Sequence, residues 1–141
     1  MSSVCIFDTS VFIDHLRTGC HQQRIESLTG LIRTSSAVLA ELWRGATRPD
    51  EREFLRALER NHPILTATEK NWLESGRILG QIRADKGIST DKLRDLHFEV
   101  LIALTARSHG ALLITSDRFD FELIRAYRKF QLEIWPAGSG C

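Results

Sequence analysis

Four acidic residues stand where a globular chain has little use for a lone charge. Asp8 directly follows the apolar run "VCIF" and precedes two hydroxyl residues, Thr9 and Ser10. Asp117 follows "LLIT" in the same way. Glu41 sits in "AVLAELW", and Glu99 interrupts "FEVLIALTA". An unpaired carboxylate beside such apolar runs is costly. Gathered together, several carboxylates with few histidine or cysteine neighbours form a donor set for hard divalent cations, Mg²⁺ or Mn²⁺. Without a cation they repel one another and raise their own pKa values. With one, they become a centre for phosphoester cleavage, the metal activating water and a second ion steadying the leaving oxygen. Ser10 is placed to orient a ligand or a water. Each acid also has a plain structural explanation. Asp8 and Asp117 suit helix caps or turns, Glu41 suits a pair with Arg44, and Glu99 suits a pair with Lys92 or Arg94.

The elements that must position these acids follow from hydrophobic patterning. Short β-branched and apolar runs at 3–7, 30–35, 63–65, 111–115 and 132–135 read as strands. Between them, helical patterns cover 10–17, 21–28, a segment capped by Ser35 or Ser36 and ending at Gly45, 49–60, a long stretch from Thr68 or Asn71 to Lys86, another from Thr90 or Asp91 to Ser108, and 119–130. Gly19, Gly87 and Gly110 punctuate helix ends. Alternating strands and helices predict a parallel sheet covered on both faces. In such a sheet ligands bind beyond the carboxyl ends of the strands. Asp8 and Asp117 each follow a strand, Glu41 lies about two turns into the helix after the second strand, and Glu99 lies in the helix leading into "ALLIT". With no composition break or repeat, one domain over 1–136 and a short frayed tail over 137–141 are expected.

Composition bounds the rest. The chain has 141 residues, 43% of them hydrophobic and 26% charged, with a net charge of +1. No apolar run approaches the roughly 18 residues of a membrane span, and no secretory signal pattern opens the sequence, so a cytoplasmic protein is expected. Cys5, Cys20 and Cys141 are odd in number and widely spaced, which argues against a disulfide scaffold or a structural zinc site. The histidines show no metal-ligand spacing, and His97 and His109 are expected at or near the surface. Neither GxxxxGK[ST] nor GxGxxG occurs, which argues against nucleotide cofactors. A receiver domain wants an acidic pair after its first strand and a late-strand lysine; a dehalogenase-type phosphatase wants DxDx[TV]. "FDTSV" offers one acid, so both fit poorly. Arg44, Arg48, Arg52, Arg56 and Arg60 recur every four residues. They form either a solvated face balanced by Glu51, Glu53 and Glu59, or a phosphate-contacting edge or docking surface for an acidic partner. Trp43 and Trp72 are expected in the core or at a dimer contact, and Trp135 as a structural residue.

Three segments then carry a resemblance. "FDTSVFIDHLR", "SSAVLAELWRG" and "FEVLIALTARSHGALLITSDRFDFELI" resemble, in that order, the sequence of PIN-domain ribonucleases, and most closely VapC-type toxins of toxin–antitoxin pairs. The resemblance covers nearly the whole chain. It implies a three-layer α/β/α PIN-like domain with a parallel sheet of four to five strands. Asp8, Glu41, Glu99 and Asp117 are then the catalytic acids; Asp8, Glu99 and Asp117 hold the metal, with Ser10, Asp95 and Asp120 in support. Arg44, Arg48, Arg52 and Arg56 are the candidate RNA contacts. The resemblance further implies Mg²⁺- or Mn²⁺-dependent cleavage of RNA, a homodimer, and inhibition by a VapB-like antitoxin whose C-terminal segment covers the acidic cleft. The sequence departs from the family at one place: Glu99 occupies a slot that usually holds Asp. Its extra methylene keeps alive a second reading, a catalytically weak PIN-like module that only binds RNA or a protein. Asp95, four residues earlier on the same helix face, is an alternative ligand.

Overall fold

The computed structural model describes residues 4–28 and 31–137. Five strands form one sheet: β1 (Cys5–Phe7), β2 (Ile32–Ser35), β3 (Ile64–Leu65), β4 (Leu112–Thr115) and β5 (Gln131–Ile134). Their order is β3-β2-β1-β4-β5, and every neighbouring pair is parallel. Among the described residues, seven helices connect them: α1 (Thr9–Thr18), α2 (Gln22–Leu28), α3 (Ser36–Gly45), α4 (Pro49–Asn61), α5 (Glu69–Lys86), α6 (Thr90–Ser108) and α7 (Arg118–Tyr127). All three residues of β1 are buried, as are Leu113, Ile114 and Thr115 of β4. Successive strand residues point to opposite faces, so continuous burial requires cover on both. The architecture is the expected α/β/α sandwich.

Chain order sets where a ligand can bind. From β1 the chain steps outward through β2 to β3, then returns to β4 on the other side of β1 and continues to β5. The switch point lies between β1 and β4, where the crossovers diverge and leave a crevice at the strands' carboxyl ends. Phe7 pairs with Ile114 in register, and the Asp8 N–H continues the ladder to the Ile114 carbonyl at 2.9 Å. Asp8 therefore leaves β1 at that crevice.

Local chemistry explains the helix boundaries. The Ser35 hydroxyl caps α3, accepting from the Ala37 N–H at 3.2 Å. Thr68 and Asn71 cap α5 reciprocally, each side chain accepting from the other's backbone N–H, at 3.0 and 3.1 Å. Such a capping box satisfies two donors that a helix start otherwise leaves orphaned. The α6 cap is Ser89 rather than Thr90 or Asp91; its hydroxyl accepts from the Lys92 N–H at 3.2 Å. Glu51 closes the start of α4 by accepting from the Thr47 and Arg48 N–H groups, at 3.2 and 3.0 Å. Helices α1 and α5 end on Gly19 and Gly87, at φ 68° and 63°, a left-handed conformation that costs side-chain-bearing residues about 1–2 kcal/mol.

The core runs through the sheet and the inner faces of the helices. Ile6, Phe7, Leu113, Ile114, Phe121 and Ile124 are at most 1% exposed. Trp135 packs on Phe7 and on the His21 ring, both at 5.3 Å between centroids, with the Arg24 guanidinium 5.4 Å above it. That bears out its structural role. Trp72 does not fit the core expectation. It is 53% exposed beside Leu73 at 58%, since α5 turns that face outward. Trp43 is half-buried, its indole N–H donating to Glu59. Cys5 is buried, while Cys20 is disulfide-bonded, a bond that the odd cysteine count did not suggest. Cys141 and the tail beyond 137 lie outside the described residues. Among the described residues, no helix is long and apolar enough to cross a membrane.

Candidate metal centre

Asp8 is both a helix cap and a buried acid. Its side chain is the N-cap of α1 and is 5% exposed. Three donors converge on Oδ2: the Ser10 hydroxyl at 2.7 Å, the Thr115 hydroxyl at 2.9 Å and the Ser10 N–H at 3.4 Å. Burial pushes its pKa up, and these hydrogen bonds hold it back. Ser10 does more than orient a ligand: its hydroxyl oxygen also accepts from the Ser116 N–H at 3.0 Å. Thr115 accepts in turn from the Asp117 N–H at 2.9 Å. Two hydroxyls thus lock the end of β1 to the turn after β4.

That turn delivers Asp117. It is the N-cap of α7, with Oδ1 accepting from the Asp120 N–H at 3.2 Å. The same helical turn carries Asp120 inward to 7% exposure. Glu99 arrives from α6, whose C-terminal half is buried from Val100 through Ala106. Glu99, Asp117 and Asp120 each offer a carboxylate oxygen, all within 4.8 Å of one another. Burial above all, then Asp120, Asp117 and Asp8, push Glu99's pKa up to about 9. Burial, Asp120 and Asp8 likewise raise Asp117. Glu99 Oε2 is enclosed and accepts no hydrogen bond from the protein. A buried acceptor without a donor is expensive, and an oxygen-binding cation at that point removes the cost. The residues therefore fit a hard divalent ion.

Glu41 stands at the margin of this group. The Thr9 hydroxyl donates to its Oε1 at 2.9 Å. Its pKa is raised mainly by burial and further by Asp8, while Thr9 and Arg44 lower it. Ile13, Leu16, Leu42 and Leu55 line an adjacent groove of about 470 Å³ that also presents Arg17, Glu41, Arg48 and Glu51. Asp95 is exposed and outside the close triad; it sits one turn before Glu99, where α6 still faces solvent.

The structure thus brings Asp8, Glu99, Asp117 and Asp120 within mutual electrostatic reach and sets Glu41 beside Asp8. Asp120, expected in support, belongs to the closest triad. Lys92 binds both Asp120 oxygens, at 3.0 Å each. The sequence placed Lys92 only as a partner for Glu99; its spacing of seven residues from Glu99, two helical turns, could have drawn it into the site. Arg94 pairs instead with Asp91 at 3.3 Å. The hydroxyl of Thr115 was missed altogether, although it ends a strand at the switch point.

The arginine ladder is largely occupied by acids and carbonyls. Arg48 pairs with Asp50 at 2.7 Å, Arg56 and Arg60 with Glu53 at 3.4 and 3.5 Å, and Arg52 donates to the Thr47 carbonyl at 2.9 Å. Arg44 lies over the Phe98 ring at 5.7 Å. Leu55 and Leu58 face inward, with Phe54 half-buried. His97 is half-buried and His109 exposed.

Comparison with known proteins agrees with the geometry. The sequence matches the PIN domain over residues 5–127. No curated relative matches it. Among solved structures, the fold is similar to a chain of DNA-bound VapBC from Salmonella typhimurium, at TM-score 0.70 and 20% identity over 95% of this chain and 99% of that one. It is also similar to VapBC2 from Rickettsia felis bound to a promoter DNA fragment, at 0.68 and 22% over 94% and 98%. VapBC-1 from nontypeable Haemophilus influenzae gives 0.67 and 21% over the same shares. A cluster of acids at the switch point of a β3-β2-β1-β4-β5 sheet, together with a family match spanning most of the chain, places this protein in the PIN domain family.

Proposed function

We propose that this chain is a Mg²⁺- or Mn²⁺-dependent endoribonuclease and the toxin of a type II toxin–antitoxin pair. One observation carries the metal part: an enclosed, unpartnered Glu99 oxygen at the meeting point of acids from three separate elements. Asp8, Glu99 and Asp117 would hold the ion. A divalent cation there supplies water activation and neutralises charge on the scissile phosphate. The chain's own residues do the positioning. Ser10 and Thr115 fix Asp8, and Thr9 fixes Glu41 beside it. The toxin part is supported by the likeness to VapBC complexes. The groove beside Glu41 combines apolar walls with charged ends, as an amphipathic antitoxin segment requires. Homodimerisation through the exposed Trp72 and Leu73 face belongs to the same proposal, as does a single domain in the cytoplasm.

Incubating the purified protein with mixed cellular RNA tests this. Fragments should appear with Mg²⁺ or Mn²⁺, vanish with chelator, and be absent for Asp8→Asn, which retains a helix-capping side chain. Cleavage by Asp8→Asn, or cleavage indifferent to chelator, refutes it. The second reading, a binding module without turnover, draws on Glu99 in the Asp slot; it predicts RNA retention without metal-dependent fragments.

A further inference from the structure

Among the described residues, Lys92 meets Asp120 of the acid cluster directly as a cation. Its Nζ lies 3.0 Å from both Oδ1 and Oδ2 of Asp120. The partners are 28 residues apart, on α6 and α7, so tertiary structure and not local helix geometry makes the contact. The ammonium straddles the carboxylate symmetrically, as a chelated ion does. The other basic residues near this end of α6 are engaged elsewhere, Arg94 with Asp91 and Arg44 over Phe98. Asp120 is buried, and Lys92 is still 40% exposed, so the ammonium sits at the mouth of the cluster.

Resting on the metal reading above, we infer that Lys92 is a built-in second cation: it occupies the Asp120 side of the cluster and limits the centre to one divalent ion. Asp120 stands within 4.8 Å of Glu99 and Asp117, close enough to complete a second coordination site. Each of its oxygens already accepts from the ammonium, which weakens what it can offer another metal. A divalent ion approaching Asp120 would also meet the full positive charge of Lys92, and like charges repel most strongly where water is scarce. One ion therefore binds toward Asp8, Glu99 and Asp117, and Lys92 supplies the fixed positive charge that a two-metal centre draws from its second ion.

Mn²⁺ binding followed by electron paramagnetic resonance and by calorimetry tests this, with circular dichroism confirming the fold of each variant. Wild type and Lys92→Arg should bind one Mn²⁺ per chain. Lys92→Met should bind two, the second at least about tenfold more tightly than any second event in wild type. Asp120→Asn added to Lys92→Met should restore a stoichiometry of one. Two ions in wild type, or one in Lys92→Met with unchanged affinity, overturns the inference and leaves the metal centre standing. Absence of saturable Mn²⁺ binding in every variant overturns both.

Discussion

Replacing Glu99 with Gln should stabilise the protein in chelator, although a half-buried acid of the candidate site is being removed. Glu99's carboxyl is raised from 4.5 to about 9, burial first and the neighbouring acids second. Between those values the folded chain keeps a proton that the unfolded chain gives up. Stability is then greatest below about pH 4.5 and falls until about pH 9. At pH 7 the gap from the unfolded value is about 2.5 units, and at about 1.4 kcal/mol per unit the native state gives up on the order of 3 kcal/mol. Relaxation and water entry reduce this, so about 1–3 kcal/mol is the expected gain for Gln, several degrees in Tm for a chain of this size. Gln keeps the shape and offers an amide donor to Asp117 or Asp120. Urea unfolding of both proteins in EDTA at pH 4, 7 and 8.5 measures it. The curves should coincide at pH 4 and separate as pH rises. Adding Mg²⁺ should raise the wild type selectively, because a bound ion stabilises only the folded state. A variant less stable than wild type at pH 7 in EDTA, or a gap independent of pH, refutes the reasoning.

Other outcomes follow from particular contacts. Ser10→Ala removes a donor to Asp8 and orphans the Ser116 N–H, so it should cost about 1–3 kcal/mol in chemical denaturation and weaken Mg²⁺ binding as well. Glu99→Asp restores the acid usual for the family and should raise the RNA cleavage rate at saturating Mg²⁺; an equal or lower rate shows that the longer side chain suits this site. Arg52→Gln with Arg56→Gln should flatten the salt dependence of RNA binding by about one to two units of log–log slope. An unchanged slope assigns both residues to the Thr47 carbonyl and Glu53 contacts seen in the fold.

The fold was legible because local and global signals agreed. "ALLIT" and "VCIF" are too apolar to be anything but buried strands, and the helices between them carry recognisable caps, as at Thr68–Asn71. Asp8 and Asp117 were readable because they follow strands, and strand ends in a parallel sheet share one edge. What periodicity could not give was distance across the sequence. Lys92 and Asp120 meet only because α6 and α7 pack side by side, and Thr115 reaches Asp8 only because β4 lies next to β1. Asp95 shared a helix face with Glu99 on paper, yet α6 enters the core just after it. The structural and chemical readings of Asp8 and Asp117 proved compatible: each caps a helix and each also acts on Glu99 electrostatically.

The decisive measurement is an anomalous difference map from a crystal of this protein grown with Mn²⁺. It should show one strong peak about 2.0–2.3 Å from carboxylate oxygens of Asp8, Glu99 and Asp117, with Lys92 still on Asp120. An empty crevice at saturating Mn²⁺, or an ion held by other residues, contradicts the account.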